Sequence, residues 1–495
     1  MVDQDQREQI RLHEALKQYV VFLETRGISS RTETISVTGA LGRVSASAAY
    51  AQTPCMVPPQ QVCSGEGFAA GEMLLQSYLE ITPAVIAALL SGGVRSVSVL
   101  SKPSVGIIFA GFAPAIDAAG ARWNAAFEPS AALYCAMLTR WGAEGIAYFD
   151  AGCEPDTLRS VLLRAAKERD LVLLCTEATQ GIPADVLNPL VEVCVDGIAI
   201  HPGGDILLGA IEAVPIICTS SDPSCGIVVL EELVKPVLDR LLMRERDAAE
   251  SVCVKMGKPY VSIERAREFV PAKLGFDPEG SLVVLPIPVG ENGGETLVEA
   301  DCILDVPQNC AGYAAGERAH VRLLKPIDRI ARTVRICGSH DPFLDEAADA
   351  LRRTEIRAYV SSERAGNEDA MLALCRGECH LASICLPDET DSVSYIEQRL
   401  PAGGMALVEG VRRVQAAFIT SENPLSGQAY DLLVSLDAME NPQVRAFLHV
   451  LGSELFLSRL DAFGGYRYDK PGRIKKIWPG KEHEPETEPK TGQGT

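Results

Sequence analysis

Three short turns in one stretch of this chain gather hydroxyls, carboxylates and glycines just past apolar runs. They are Thr176-Glu-Ala-Thr-Gln-Gly-Ile-Pro-Ala-Asp185, His201-Pro-Gly-Gly-Asp205 and Ser220-Ser-Asp-Pro223. Turns of this kind can present backbone amides to a phosphate or another oxyanion, and a carboxylate beside them can carry protons. Asp222 is the foremost acid, because it directly precedes a helix start at Pro223, where amides and the helix dipole would meet a ligand. A local reading competes with this one: Thr, Ser and Asp are favoured in turns and N-caps for their own hydrogen bonding, and acids at loop tips are commonly just solvated.

The elements that must hold these turns form one continuous unit from Ser104 to Leu241. Strand-like runs at Val105–Ala110, Leu171–Cys175, Gly197–Ile200 and Val214–Cys218 alternate with helical patterns at Ser130–Trp141, Glu154–Arg169 and Gly226–Leu242. That alternation predicts a parallel sheet wrapped by helices, with ligands beyond the carboxyl ends of the strands. Before it come a helix from Ile10 to Leu23, a strand at Glu33–Val37, a Pro-rich break at Thr53–Pro59, and a helix opened by Thr82-Pro83 and closed by Gly92-Gly93 ahead of a strand at Ser96–Leu100. After it, short β runs between Val252 and Leu324 fit a small β domain or barrel, and a βα rhythm returns at Val334–Gly338. Lys470 to Thr495 is charged and rich in Pro and Gly, so disorder is expected there.

Composition narrows the function. A length of 495 residues calls for several domains, and a net charge of −20 with a pI near 4.9 offers no basic footprint for nucleic acid or an anionic membrane. Met1–Glu8 lacks the basic-then-apolar layout of a secretory signal and no apolar run is long enough to span a bilayer, so a cytoplasmic protein is expected. The fifteen cysteines are scattered through apolar patterns, which suits reduced core thiols. Cys375, Cys379, His380 and Cys385 cluster, but no second knuckle follows to complete a zinc site, so no metal site is assigned; His380 reads as a hydrogen-bonded core residue.

The order of segments from Ile10 to Leu324 resembles the MoeA/gephyrin family, the molybdopterin molybdenumtransferases. The likeness is carried by EALKQYV with TGALGRVSASAAYAQTP, then GEGFAAGEMLLQSYLEITPAVIAALLSGGVRSVSVL, HPGGDILLG, ICTSSDPSCGIVVLEELVKPVL and VEADCILDVPQNCAGYAAGERAHVRLL. It implies an α/β, multidomain chain: an N-terminal segment over 1–103, a three-layer α/β/α molybdopterin-binding domain of MogA type over 104–245, and a small β-barrel domain over 246–328. Molybdopterin, free or adenylylated, and molybdate would be the ligands, with Mg2+ allowed; a homodimer and other cofactor-assembly proteins would be the partners. On the positions matching the family's motifs, Thr179, Gly181, Pro202, Gly203, Ser221 and Pro223 would hold the pterin phosphate, and Asp185, Asp205 and Asp222 are the acids left for catalysis.

The same resemblance exposes losses. The family's Gly-Asp-Glu-Leu turn is here Gly111-Phe-Ala-Pro114, the lysine of its Pro-Gly-Lys-Pro turn is Gly204 followed by Asp205, and the asparagine of Leu-Pro-Gly-Asn-Pro is Asp222. An acid in place of a cation or an amide weakens anion binding. Pro59 and Gly65 are six positions apart where the family inserts a domain bearing Asp-Gly-Tyr-Ala, a string this chain lacks. Eroded catalysis follows, and a non-catalytic scaffold, carrier or sensor is the alternative.

Residues 333–470 resemble a periplasmic-binding-protein-like module, through Gly338-Ser-His-Asp341, AMLALCRGECHLASICL, Arg413-Val-Gln415, Asn423-Pro424 and Tyr430-Asp-Leu432. Only Leu425–Ala429 stands where the module's second lobe would be inserted, so a single-lobe α/β domain is expected, followed by a disordered tail over 471–495. Ser339, Asp341, Ser362 and Arg413 are its candidate ligand residues. Ser339 and Asp341 serve equally well as helix caps.

Overall fold

The computed structural model describes residues 9–54, 68–110, 115–116, 122–123, 128–148, 155–176, 187–245, 251–263, 265–276, 280–287, 298–400, 403–414 and 427–479. A six-stranded sheet forms the centre. Its strands are β1 (Ser104–Ala110), β2 (Glu144–Tyr148), β3 (Leu171–Thr176), β4 (Glu192–Asp196), β5 (Leu207–Ile211) and β6 (Val214–Ser220), in the spatial order β4-β5-β6-β3-β1-β2. β2, β1, β3 and β6 run parallel; β5 and β4 add antiparallel at one edge. The parallel core strands are apolar throughout because both faces are covered.

Helix α1 (Leu12–Thr25), with α3 (Glu128–Arg140) and α5 (Pro223–Leu241, through a π-turn at Leu230–Val234), fills one face, while α4 (Pro155–Glu168) covers the other, giving three layers. α1 is tied to the sheet by Tyr19, whose hydroxyl donates to the carbonyls of Gly209 (2.9 Å) and Ile216 (3.1 Å). The expected strand at Gly197–Ile200 does not enter this sheet. Gly197 adopts a φ of +90°, which turns the chain outward, and Ile200–His201 instead pairs in parallel with the barrel at Arg267–Glu268. Its place is taken by the β4–β5 hairpin, so the sheet is mixed where an all-parallel one was expected.

A small separate core follows α1. The strand Thr32–Ser36 pairs antiparallel with Ser96–Leu100, and α2 (Pro83–Ser91) starts as the sequence predicts, with Val85 N donating to Thr82 Oγ1 (3.4 Å) and Gly92 at its end.

Past the α/β layers, β7 (Ser251–Met256), β8 (Arg267–Phe276), β9 (Leu282–Pro286), β10 (Cys302–Val306) and β11 (Arg318–Leu323) pair in the order β8-β9-β7-β11-β10, and β10 pairs back to β8. This closes a five-stranded barrel around its own apolar interior.

The last sheet contains β12 (Thr333–Gly338), β13 (Tyr359–Arg364), β14 (Leu381–Pro387), β15 (Met405–Arg413), β16 (Gln428–Ser435), β17 (Tyr466–Arg467) and β18 (Ile474–Trp478). The order β13-β12-β14-β16-β15-β17 leaves β18 to pair with the free part of β15. Disorder expected from Lys470 is therefore corrected as far as Trp478. An unpaired β15 edge would leave a row of backbone groups bare, and β18 covers it. Lys475 secures the strand, its Nζ 2.8 Å from Asp431 Oδ2, where Asp431 also accepts from Ser392 Oγ (2.7 Å) and Gly410 N (3.2 Å).

Candidate functional site

The carboxyl ends of β1, β3 and β6 lie side by side, with Ala110 paired to Thr176 and Thr176 to Ser220. Two of the three expected turns meet at this rim. The His201–Pro202 peptide is cis, and Gly203, at a φ of +97°, packs against Cys225 in the first turn of α5; a Cβ at Gly203 would sit 3.4 Å from Cys225 Cβ. Pro202 and Gly203 are thus brought beside Ser221, Asp222 and Pro223. Asp205 stands exposed at the end of its turn. Thr179, Gly181 and Asp185, like Gly111–Pro114, lie outside the described residues.

Asp222 is the N-cap of α5, as its position before Pro223 suggests. Its Oδ1 accepts from Ser224 N (2.8 Å) and Cys225 N (3.2 Å), and its own N–H donates to Ser220 Oγ (3.2 Å). Ser221 N donates to Thr176 O (2.8 Å), joining the turn to β3. The amides that would hold a phosphate at a helix start are thereby already engaged by a resident carboxylate. From below, Ser130 Oγ donates to Ser221 O (3.2 Å) and Tyr134 OH to Asp222 O (3.3 Å). Burial and the neighbouring Asp222 push the Cys225 thiol up to about 12, so it is protonated and unreactive at neutral pH.

Several of these supports escaped the sequence. Tyr134 and Ser130 lie on α3 among apolar residues, and only the packing of α3 on α5 brings them under the turn. Gly226 offered a signal in retrospect: a Cβ there would fall 1.8 Å from Tyr134 Oη, so the ring sits against bare backbone. Thr219 Oγ1, buried one residue before the turn, has no hydrogen-bond partner among the described residues.

Below the rim a cleft of about 700 Å3 runs along α5 between the α/β layers and the barrel. His201, Pro202 and Ser224 line its upper end, Arg322 and Phe269 its barrel wall, and Trp141 and Arg244 its floor. Ligand pockets commonly have this size. Among the described residues no group of three or more His, Cys, Asp or Glu side chains could hold a metal ion.

In the last domain two of the candidate residues, Asp341 and Arg413, converge on each other. Asp341 Oδ2 lies 2.7 Å from Arg413 Nη1, with both side chains buried; Tyr466 OH donates to Asp341 Oδ1, and Asp341 caps helix α6 (Pro342–Arg352) through Phe343 N (3.2 Å). Burial, with Asp341 next to it, raises the Tyr466 hydroxyl well above its ordinary value. Ser362 Oγ pairs with His340 Nδ1 (3.3 Å), and Ser339 N donates to Ser383 O (3.1 Å). An anion would have to displace Asp341 from Arg413. His380 is the core residue expected: its Nδ1 accepts from Arg335 N (2.9 Å), and burial next to Arg335 lowers it to about 4.

Comparison with known proteins agrees with this architecture. Residues 254–324 match the MoeA C-terminal region (domain IV), and residues 348–428 match a PBP superfamily domain. A molybdopterin molybdenumtransferase of Bacillus subtilis is 25% identical over 269 residues, 53% of this chain and 62% of that protein. The chain is thus similar to the MoeA family over this stretch, at low identity, with an extra region similar to PBP domains. Molybdopterin molybdenumtransferase 2 of Mycobacterium tuberculosis is 23% identical over 267 residues, 52% of this chain and 65% of that one. The chain thus spans under two thirds of the length of these curated relatives. A molybdopterin biosynthesis MoeA structure from Pyrococcus horikoshii superposes with a TM-score of 0.51 at 21% identity, covering 64% of this chain and all of the other, and shares the fold of this MoeA relative. Among the described residues no helix is long and apolar enough to cross a membrane.

Proposed function

We propose that this MoeA relative works in molybdenum cofactor assembly by binding molybdopterin, free or adenylylated, at the rim where the Pro202-Gly203 turn meets the Ser221-Asp222-Pro223 turn. The observation that carries the reading is this convergence at the carboxyl ends of β3 and β6, the place where an open α/β sheet takes its ligands. Pro202, Gly203, Ser221 and Pro223 shape the seat, and Thr179 and Gly181 are the further residues expected to bind the pterin phosphate. Asp185, Asp205 and Asp222 are the acids available to take a proton from the dithiol and pass it to the oxide that leaves molybdate as water. Molybdate is the co-substrate.

A second reading, a non-catalytic pterin carrier, scaffold or sensor, is favoured by one observation: Asp222 spends its carboxylate capping α5 and sets a negative charge where the phosphate would approach. In the PBP-like domain Asp341 and Arg413 pair with each other, and Ser339 and Ser362 remain its ligand candidates. Equilibrium titration with molybdopterin, with and without molybdate, tests the shared claim; no binding at micromolar concentration defeats it. Insertion of molybdenum into a reporter apoenzyme separates the readings, because only the first predicts turnover. A homodimer in the cytoplasm is tested by light scattering on the purified chain alone; mixing with a complete family member tests whether a second protein supplies the missing acids in trans.

A further inference from the structure

A cavity of about 250 Å3 lies where the barrel meets the PBP-like domain, with Lys258, Lys273 and Leu285 on the barrel side and Arg335, Cys337 and Cys379 facing them. Cys337 is on β12, in register with Ala382 of the parallel neighbour β14, and Cys379 stands just before that strand begins at Leu381. The two residues line this one cavity and belong to one buried cluster, and each thiol shifts the other, Cys337 downwards and Cys379 upwards. Both residues are otherwise buried, at 5% and 6% exposure, so the cavity is the approach for a small molecule. Arg335, itself only 8% exposed, lines the same space; its Nη2 donates to Phe276 O (3.1 Å), while its Nε has no hydrogen-bond partner among the described residues. A buried guanidinium with an unused N–H favours an anion close by, and a thiolate is such an anion.

We propose that Cys337 and Cys379 form a peroxide-reactive dithiol that closes reversibly to a disulfide at the contact between barrel and PBP-like domain. The Cys337 sulfur attacks one peroxide oxygen; the O–O bond breaks, a sulfenic acid forms and one water leaves. The Cys379 sulfur then attacks the sulfenic sulfur; the S–O bond breaks, the S–S bond forms and the second water carries off the remaining thiol proton. Both sulfurs are oxidised and the peroxide is reduced. The order of attack follows the mutual influence of the two thiols, which holds Cys337 below the ordinary thiol value and Cys379 well above it.

The test uses the full chain treated with hydrogen peroxide at doses that oxidise the exposed Cys253, then digested without reductant and read by mass spectrometry. A peptide pair joined through Cys337 and Cys379, lighter by two hydrogens and parted by dithiothreitol, is expected. In Cys379→Ser, Cys337 should stop at the sulfenic acid and be trapped by dimedone; trapping on the unmutated chain at short times gives the same readout without a substitution. Oxidation of Cys253 with Cys337 and Cys379 both left as thiols overturns the proposal. So does a disulfide joining either of them to another cysteine instead.

Discussion

Replacing Asp222 by Asn tests the charge argument at the rim directly. Asn keeps a carbonyl oxygen where Asp222 Oδ1 accepts from Ser224 N and Cys225 N, and the two residues cap helices about equally well, so α5 should remain capped. What disappears is one negative charge. At ~5 Å from an arriving phosphate and an effective dielectric of ~20, that charge costs about 3 kcal/mol; half-exposure and salt reduce the figure to ~1–2 kcal/mol, a gain of roughly ten-fold in affinity. Titration calorimetry of molybdopterin into the unmutated chain and Asp222→Asn, at low and high salt, measures it. The tightening should shrink as salt rises. Affinity that is unchanged or weaker in Asp222→Asn, with the folding midpoint preserved, would refute the reasoning and place the phosphate away from α5.

Other consequences can be checked by unfolding. Asp341→Ala leaves Arg413 buried without its carboxylate and should cost ~3–5 kcal/mol in urea melts, far more than loss of an exposed ion pair such as Arg353–Asp349. Gly226→Ala forces a methyl onto the Tyr134 ring and should cost ~1–3 kcal/mol; Tyr134→Phe in the same chain should relieve little of it, because the ring Cζ and Cε1 would still lie 2.2 and 2.5 Å from the methyl. Lys475→Met leaves the buried Asp431 carboxylate short of its cation and should cost ~1–3 kcal/mol, with faster proteolysis of the β18 strand. His380 stays neutral in the fold down to about 4, whereas the unfolded chain takes up the proton near 6.5. Stability is therefore present in full above 6.5, falls as pH drops from there towards 4, and levels off below; about 1–2 kcal/mol should be lost between pH 7 and 5, and His380→Asn should remove that part of the slope.

Local rules made much of this chain legible. The Thr82-Pro83 start of α2, the Asp222-Pro223 start of α5 and the Ser96–Leu100 strand are written in capping chemistry and residue period, which act within a few positions of the chain. The β4–β5 hairpin was hidden because Glu192–Asp196 is an edge strand with charged ends, while the more apolar Gly197–Ile200 looked the better strand until Gly197 turned it towards the barrel. β18 was hidden for a related reason: Ile474-Lys-Lys-Ile-Trp478 is too charged to announce itself, and it is a strand because β15 lends it an edge.

By itself the sequence determined the kinds of element, their order, the family likeness, and the replacement of a lysine, an asparagine and two acids at the turns. Tertiary structure alone decided what those replacements do. The Asp222 carboxylate turns inward onto its own helix, Asp341 finds Arg413 seventy-two positions away, and Cys337 shares a buried cluster and a cavity with Cys379. The physical reason is range: caps and periodicity are contests among neighbours in the chain, but whether a charge is free, paired or buried depends on partners that only the packing of sheets and helices brings within a few ångströms.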